Sequence, residues 1–116
     1  MAYSSWTKMT ESLVSIITPA YNSERFIAET IVSVQNQNYQ NWEMIIVDDC
    51  STDRTAEIIF SFQKNDARIK YIKNETNRGS AFSRNIALQV AKGKWIAFLD
   101  SDDIWHPEKL KRQIDF

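Results

Sequence analysis

The chain is 116 residues long, enough for one domain with a real core. Its 14 basic and 15 acidic side chains leave a net charge of −1, which excludes a bulk field that would draw it to nucleic acid or anionic lipid. The lone Cys50 excludes an internal disulfide, no apolar run is long enough to span a membrane, and the polar start lacks a signal-peptide core. A soluble, cytoplasmic chain is the expectation.

Residues 1–12 carry no periodicity and are expected to form a flexible N-terminal arm with Trp6 tucked onto the surface, so the folded unit is residues 13–116. Leu13 to Thr18 reads as a first strand, stopped by Pro19, which cannot donate to a ladder. Asn22 or Ser23 then caps a helix to about Asn36, with Phe26, Ile27, Ile31 and Val34 on its apolar face. Trp42 to Asp48 is a second strand, and Ser51 caps a second helix through Phe62 with Thr55, Ile58, Ile59 and Phe62 turned inward. Arg68 to Lys73 is a short third strand. Asn77-Arg-Gly79 makes a turn into a third helix, Ser80 to Ala91, with Phe82, Ile86, Leu88 and Val90 partly lining one side and Gly93 as its C′ stop. Trp95 to Leu99 is the fourth strand, and Pro107 opens a last helix carrying Leu110 and Ile114.

Strand and helix alternate, and the strands are continuously apolar rather than alternating. That pattern predicts a parallel sheet covered on both faces, with every strand's C-terminal end on one edge. Three polar clusters fall at those ends: Thr18 to Asn22, Asp48 to Thr52, and Asp100 to Asp103. Ligands of such sheets bind at that edge, where the strand order reverses.

Each cluster has a functional and a structural reading. Tyr21 offers a ring on which a nucleobase could stack, or a plug for a turn. In Asp48-Asp-Cys-Ser-Thr-Asp53, Ser51 and Asp53 suit a helix start, whereas the adjacent acids Asp48 and Asp49 at a sheet edge call for a partner, such as a base N–H. Arg84 could reach a phosphate or simply face solvent. With only two glycines in the chain, no glycine-rich loop cradles a phosphate. Asp100, Asp102 and Asp103 repel one another, so they suit a hard divalent cation, Mn²⁺ or Mg²⁺. The alternative has Asp103 capping the next helix and the others solvated.

Four ordered stretches, Val14 to Asn22, Ile46 to Asp53, Ser83-Arg-Asn85 and Phe98 to Asp103, resemble family 2 glycosyltransferases, and the resemblance covers Leu13 to Phe116. It implies the GT-A fold: a Rossmann-like three-layer α/β/α unit with a mainly parallel sheet of order 3-2-1-4, here its nucleotide-sugar-binding half. It also implies transfer of a sugar from a nucleoside diphosphate sugar, usually a UDP-sugar, to a carbohydrate or lipid-linked acceptor with inversion, for a lipid-linked acceptor at the inner face of the membrane. The implied nucleotide-binding set is Pro19, Tyr21, Asn22, Asp48, Asp49, Arg84, Asp100 and Ser101, with Tyr21 stacking on the base and Asp49 accepting its N3–H. Asp102 and Asp100 are the implied ligands of Mn²⁺ or Mg²⁺, with Asp103 in support. No catalytic base is assignable within residues 1–116, so the expectation is a donor-binding part of a longer enzyme.

Two readings compete. A receiver-type phospho-signalling domain also gathers acids at a parallel-sheet edge, but it needs an acid pair after strand one, where this chain has Pro19 to Asn22. A nucleotide-binding module without catalysis would keep the same motifs.

Overall fold

The computed structural model describes residues 12–115, so the expected arm, apart from Ser12, and its Trp6 lie outside the described residues. Four strands and four helices alternate: β1 Val14–Ala20, α1 Ile27–Gln35, β2 Trp42–Asp48, α2 Thr55–Gln63, β3 Ile69–Lys73, α3 Ser80–Val90, β4 Trp95–Phe98 and α4 Lys109–Asp115. The strands form one parallel sheet of order β3-β2-β1-β4, as expected. The direction of growth reverses after β3. A right-handed return to β4 therefore carries α3 to the face opposite α1 and α2.

The two faces are packed unequally. Ile16, Met44, Ile46 and Ile69 meet Ile27, Ile31 and Val34 of α1, Ile59 of α2 and Leu110 of α4 in the larger core. On the other face Ile17, Ile45 and Val47 are covered by α3 through Ala87, with Ile86 half-buried. The fully buried positions of α3 are Ser83 and Ala87; of the expected partial lining, Ile86 packs against this core, whereas Leu88 and Val90 are exposed. Because α3 packs on β1 and β2, it leaves Ile96 and Phe98 of β4 in the open. β4 is an edge strand exposed along most of its length, not a buried one.

Pro19 does not stop β1, which pairs through Ala20 opposite Asp48. The carbonyl of Ile17 accepts the Leu99 N–H at 3.0 Å, while that of Ala20 accepts the Asp49 N–H at 2.8 Å. Backbone groups alternate sides along a strand, so Pro19 faces β4 like Ile17, and β4 has already ended at Phe98. Its missing donor costs no ladder bond.

Two expected caps also differ. α1 is entered from the Ser23 carbonyl, which accepts the N–H of Ile27 at 2.9 Å, whereas the Ser23 hydroxyl points elsewhere and Phe26 is exposed. Gly93 is not a left-handed C′ residue; α3 ends because Ala91 is extended. Gly93 is required for closeness instead: a Cβ there would lie 2.6 Å from the Ser15 nitrogen and 2.8 Å from the Leu13 oxygen.

Candidate functional site

A cleft of 460 Å³ opens at the C-terminal edge of the sheet, where β1 and β4 part. The loop after β1 contributes Pro19, Tyr21, Asn22 and Ser23, the loop after β2 Asp49, the start of α3 Ser80 and Arg84, and the loop after β4 Asp100, Ser101 and Asp102. Seven of the eight residues expected at the nucleotide therefore line one cleft. The eighth, Asp48, does not: it is buried, and its carboxylate accepts the Tyr71 hydroxyl at 2.6 Å and the Ser51 N–H at 3.0 Å. Burial, and then the Asp48 carboxylate that accepts its proton, push the Tyr71 phenol well above its usual range.

Tyr21 presents a free ring, 51% exposed, over the cleft. Asn22 sits in the left-handed region at φ 47°, and its side-chain oxygen accepts the Thr52 N–H at 2.9 Å while its own N–H donates to Ser51 Oγ at 2.9 Å. The two loops cap one another further along. Asp53 Oδ2 accepts the Glu24 N–H at 3.1 Å, Glu24 Oε2 accepts the Arg54 N–H at 3.1 Å, and Thr55 Oγ1 accepts the Ser23 N–H at 2.8 Å. Ser51 is thus spent on Asn22 and does not cap α2.

Asp49 is buried, and the residues that donate to its carboxylate do not themselves line the cleft. Oδ1 accepts the Arg78 N–H at 2.7 Å and the Asn74 amide at 2.9 Å, and Oδ2 accepts the Gly79 N–H at 2.8 Å. Gly79 adopts φ +93°, which brings its N–H to Asp49 at the start of α3. Burial alone would raise the Asp49 carboxyl, but the Arg78, Asn74 and Gly79 hydrogen bonds and the Arg78 charge outweigh it and hold the group below its ordinary value. A carboxylate accepts about four hydrogen bonds and three are taken, so Oδ2 of this ionised, cleft-lining residue keeps one position that no protein donor fills. Asn74, Arg78, Gly79 and Ser83 were not singled out for this role from sequence. The only signal was a short polar stretch between strand and helix.

At the third corner, Asp100, Asp102 and Asp103 each offer a carboxylate oxygen, all within 4.8 Å of one another and exposed. Arg84 approaches Asp100 at 3.6 Å across the cleft mouth. An all-oxygen set of three carboxylates fits a hard divalent cation such as Mn²⁺ or Mg²⁺. A stackable ring, an ionised hydrogen-bond acceptor and two carboxylates of the cation-suited cluster, Asp100 and Asp102, thus share one cleft, a set suited to a planar N–H-bearing base and to an anion bridged by a cation.

A family model described as glycosyl transferase family 2 matches residues 15–116. Among curated proteins, the chain is 50% identical over 106 residues to the Escherichia coli enzyme named UDP-Glc:alpha-D-GlcNAc-diphosphoundecaprenol beta-1,3-glucosyltransferase WfgD, covering 91% of this chain and 41% of that one. The solved structure of Staphylococcus aureus TarS residues 1–349 in complex with UDP superposes with a TM-score of 0.82 at 38% identity, over 88% of this chain and 31% of that one. The mannosyltransferase PcManGT of Pyrobaculum calidifontis, in complex with GDP-Man and Mn²⁺, superposes with a TM-score of 0.79 at 27% identity, over 84% of this chain and 30% of that one. The chain spans about two-fifths of the length of the first curated relatives it matches. No helix among the described residues is long and apolar enough to cross a membrane.

Proposed function

The chain belongs to glycosyl transferase family 2, and from that premise we propose that its cleft holds the nucleoside diphosphate of a sugar donor, most simply UDP, within a metal-dependent, inverting glycosyltransferase. The observation that carries this reading is the convergence of Tyr21, Asp49 and the acidic loop on one cleft. Tyr21 stacks on the base, a contact worth about 1–3 kcal/mol. The open position on Asp49 accepts one ring N–H, which suits the N3–H of uracil and rejects cytosine, whose N3 is itself an acceptor. Guanine also offers a ring N–H, so UDP is preferred on the names of the more similar relatives: UDP-Glc for WfgD and UDP for TarS, against GDP-Man at lower identity for PcManGT.

Asp100 and Asp102, with Asp103 beside them, would hold Mn²⁺ or Mg²⁺. When bound, the cation supplies positive charge against the diphosphate oxygens, and without it those oxygens would face three carboxylates. Arg84 adds its guanidinium at the same edge, where negative charge gathers on the departing diphosphate. Pro19, Asn22 and Ser101 shape the wall between base and phosphates, and Asp48 supports them from beneath. The acceptor is a carbohydrate or a lipid-linked sugar of the diphosphoundecaprenol kind named for WfgD. Such an acceptor would place the work at the cytoplasmic face of the membrane.

Thermal denaturation tests the proposal. UDP with Mn²⁺ should raise Tm, and Asp102→Ala should remove the metal-dependent part of the gain. A chain whose Tm ignores every nucleoside diphosphate plus metal would sink it.

A further inference from the structure

The acidic loop is held from behind. Thr30 of α1 is fully buried and does not line the cleft. Its hydroxyl lies 3.0 Å from the Ser101 carbonyl and 2.7 Å from the Asp103 carbonyl, the two residues that flank Asp102. A hydroxyl has one hydrogen, so it is shared between the two carbonyls and draws them inward together. Three residues on, the Ser33 hydroxyl donates to the Thr30 carbonyl at 2.7 Å and accepts the Trp105 N–H at 3.1 Å. Trp105 itself is buried in the core, which anchors the far end of the loop.

These bonds oppose a specific force. Three exposed carboxylates whose oxygens lie within 4.8 Å of one another repel, and a loop free to relax would spread them. Neither hydroxyl touches the carboxylates, so neither serves as a ligand. Both act on the backbone that carries Asp102. Two hydroxyls on the buried side of an amphipathic helix would otherwise weaken it, since Ser and Thr are poorer helix formers than the alanine or leucine that could stand there.

We propose that Thr30 and Ser33 are positioning residues for cation capture: they pin the chain on both sides of Asp102 and so preset the acidic cluster before a metal arrives. The inference rests on the donor-site reading above.

The test uses Thr30→Val, which removes the hydroxyl and keeps the shape, with Thr30→Ser to restore it and Ser33→Ala as a second, milder lesion. UDP affinity is titrated by calorimetry with and without Mn²⁺, uridine affinity without metal, and amide hydrogen exchange is followed over residues 101–105. Thr30→Val should cut the Mn²⁺-dependent gain in UDP affinity about tenfold, as loss of second-layer support does at other metal sites. It should also speed exchange at residues 101–105 and leave uridine affinity unchanged, and Thr30→Ser should restore the wild-type gain. Ser33→Ala should move the same readouts in the same direction, which keeps the question open to decision if Thr30→Val folds poorly. An unchanged metal-dependent gain in both lesions, or a parallel fall in uridine affinity, would overturn the inference alone. A wild-type chain whose UDP affinity ignores Mn²⁺ would remove the donor-site reading and this inference with it.

Discussion

The amide of Asn74 ties Asp49 to Ser83: one contact reaches Asp49 Oδ1 at 2.9 Å and the other Ser83 Oγ at 3.0 Å. All three residues are buried, and the Ser83 hydroxyl in turn lies 3.1 Å from the Gly79 carbonyl, which closes a ring around the start of α3. The loop that feeds Asp49 its backbone donors is thus locked to Asp49 by a side chain from the end of β3.

Asn74→Ala leaves the Asp49 charge and the Ser83 hydroxyl each short of a partner. Chemical denaturation should show a loss of about 1.5–3 kcal/mol, the range for a hydrogen bond to a charged group. Asn74→Asp sets a second carboxylate against Asp49, so its deficit should exceed that of Asn74→Ala at neutral pH and shrink as the pH falls. An Asn74→Asp variant no less stable than Asn74→Ala at neutral pH would argue against an ionised Asp49.

The parallel sheet and the convergence of the clusters after β1, β2 and β4 were legible in the sequence, because continuous apolar strands and right-handed crossovers leave one edge for the polar residues. The strand order itself followed from the resemblance to family 2 glycosyltransferases. What lay beyond reach was long-range. Thr30 meets Asp103 across 73 positions and Asn74 meets Asp49 across 25, and no local pattern encodes either pairing. The apolar stripe through Ile27, Ile31 and Val34 did mark the inward side of α1, and Thr30 falls on it. A hydroxyl on such a stripe is a visible sign of an inward partner, although the partner itself is not. β4 reads as a buried strand because its residues are apolar, yet exposure depends on what covers it, and α3 lies elsewhere.

The Asp66–Arg68 pair sets part of the acid stability. The Arg68 guanidinium, 2.9 Å from Asp66, holds the carboxyl at about 2 against an ordinary 3.8; burial opposes the shift, and the Gln35 amide and the Arg68 N–H assist it. A depressed folded-state value stabilises the folded chain above the unfolded value and loses that contribution as the pH falls through the folded one. Asp66 should therefore contribute about 2 kcal/mol at neutral pH, fading between pH 4 and about pH 2. Asp49 and Asp53 are depressed as well, so acid unfolding is shared among the three. Urea titrations across that range should show a flatter pH dependence for Asp66→Asn than for the parent.

Gly79 and Gly93 should respond differently to alanine. At Gly79 nothing lies within 4 Å of an added Cβ, and the cost is the backbone conformation at φ +93° and ψ 163°, a region nearly confined to glycine, about 1–3 kcal/mol. At Gly93 the Cβ meets the Ser15 nitrogen and hydroxyl at 2.6 Å. It also breaks a buried set in which the Gly93 N–H donates to Ser15 Oγ at 2.8 Å and Ser15 Oγ donates to Glu43 at 2.6 Å. Relieving a backbone clash there should cost about 3 kcal/mol. Gly93→Ala is expected to lower Tm more than Gly79→Ala, with UDP binding weakened more by the latter, whose N–H holds Asp49.

The paired loops after β1 and β2 put the last expectation on Asn22. It combines a left-handed backbone, costly for most residues, with a side-chain oxygen that caps the Thr52 N–H across the gap. Asn22→Gly keeps the backbone free to adopt φ 47° and loses the side-chain acceptor, so its cost should be that of one hydrogen bond, about 1 kcal/mol. Asn22→Ala loses the acceptor and adds the strain, and should cost about 1 kcal/mol more. The two variants separate the parts by subtraction of unfolding free energies. Equal costs would mean that the backbone conformation is not strained for alanine there, and that the Thr52 cap alone accounts for the asparagine. Because Asn22 borders the Tyr21 end of the cleft, uridine affinity should fall in the same order as stability, with the metal-dependent gain at the acidic loop left intact.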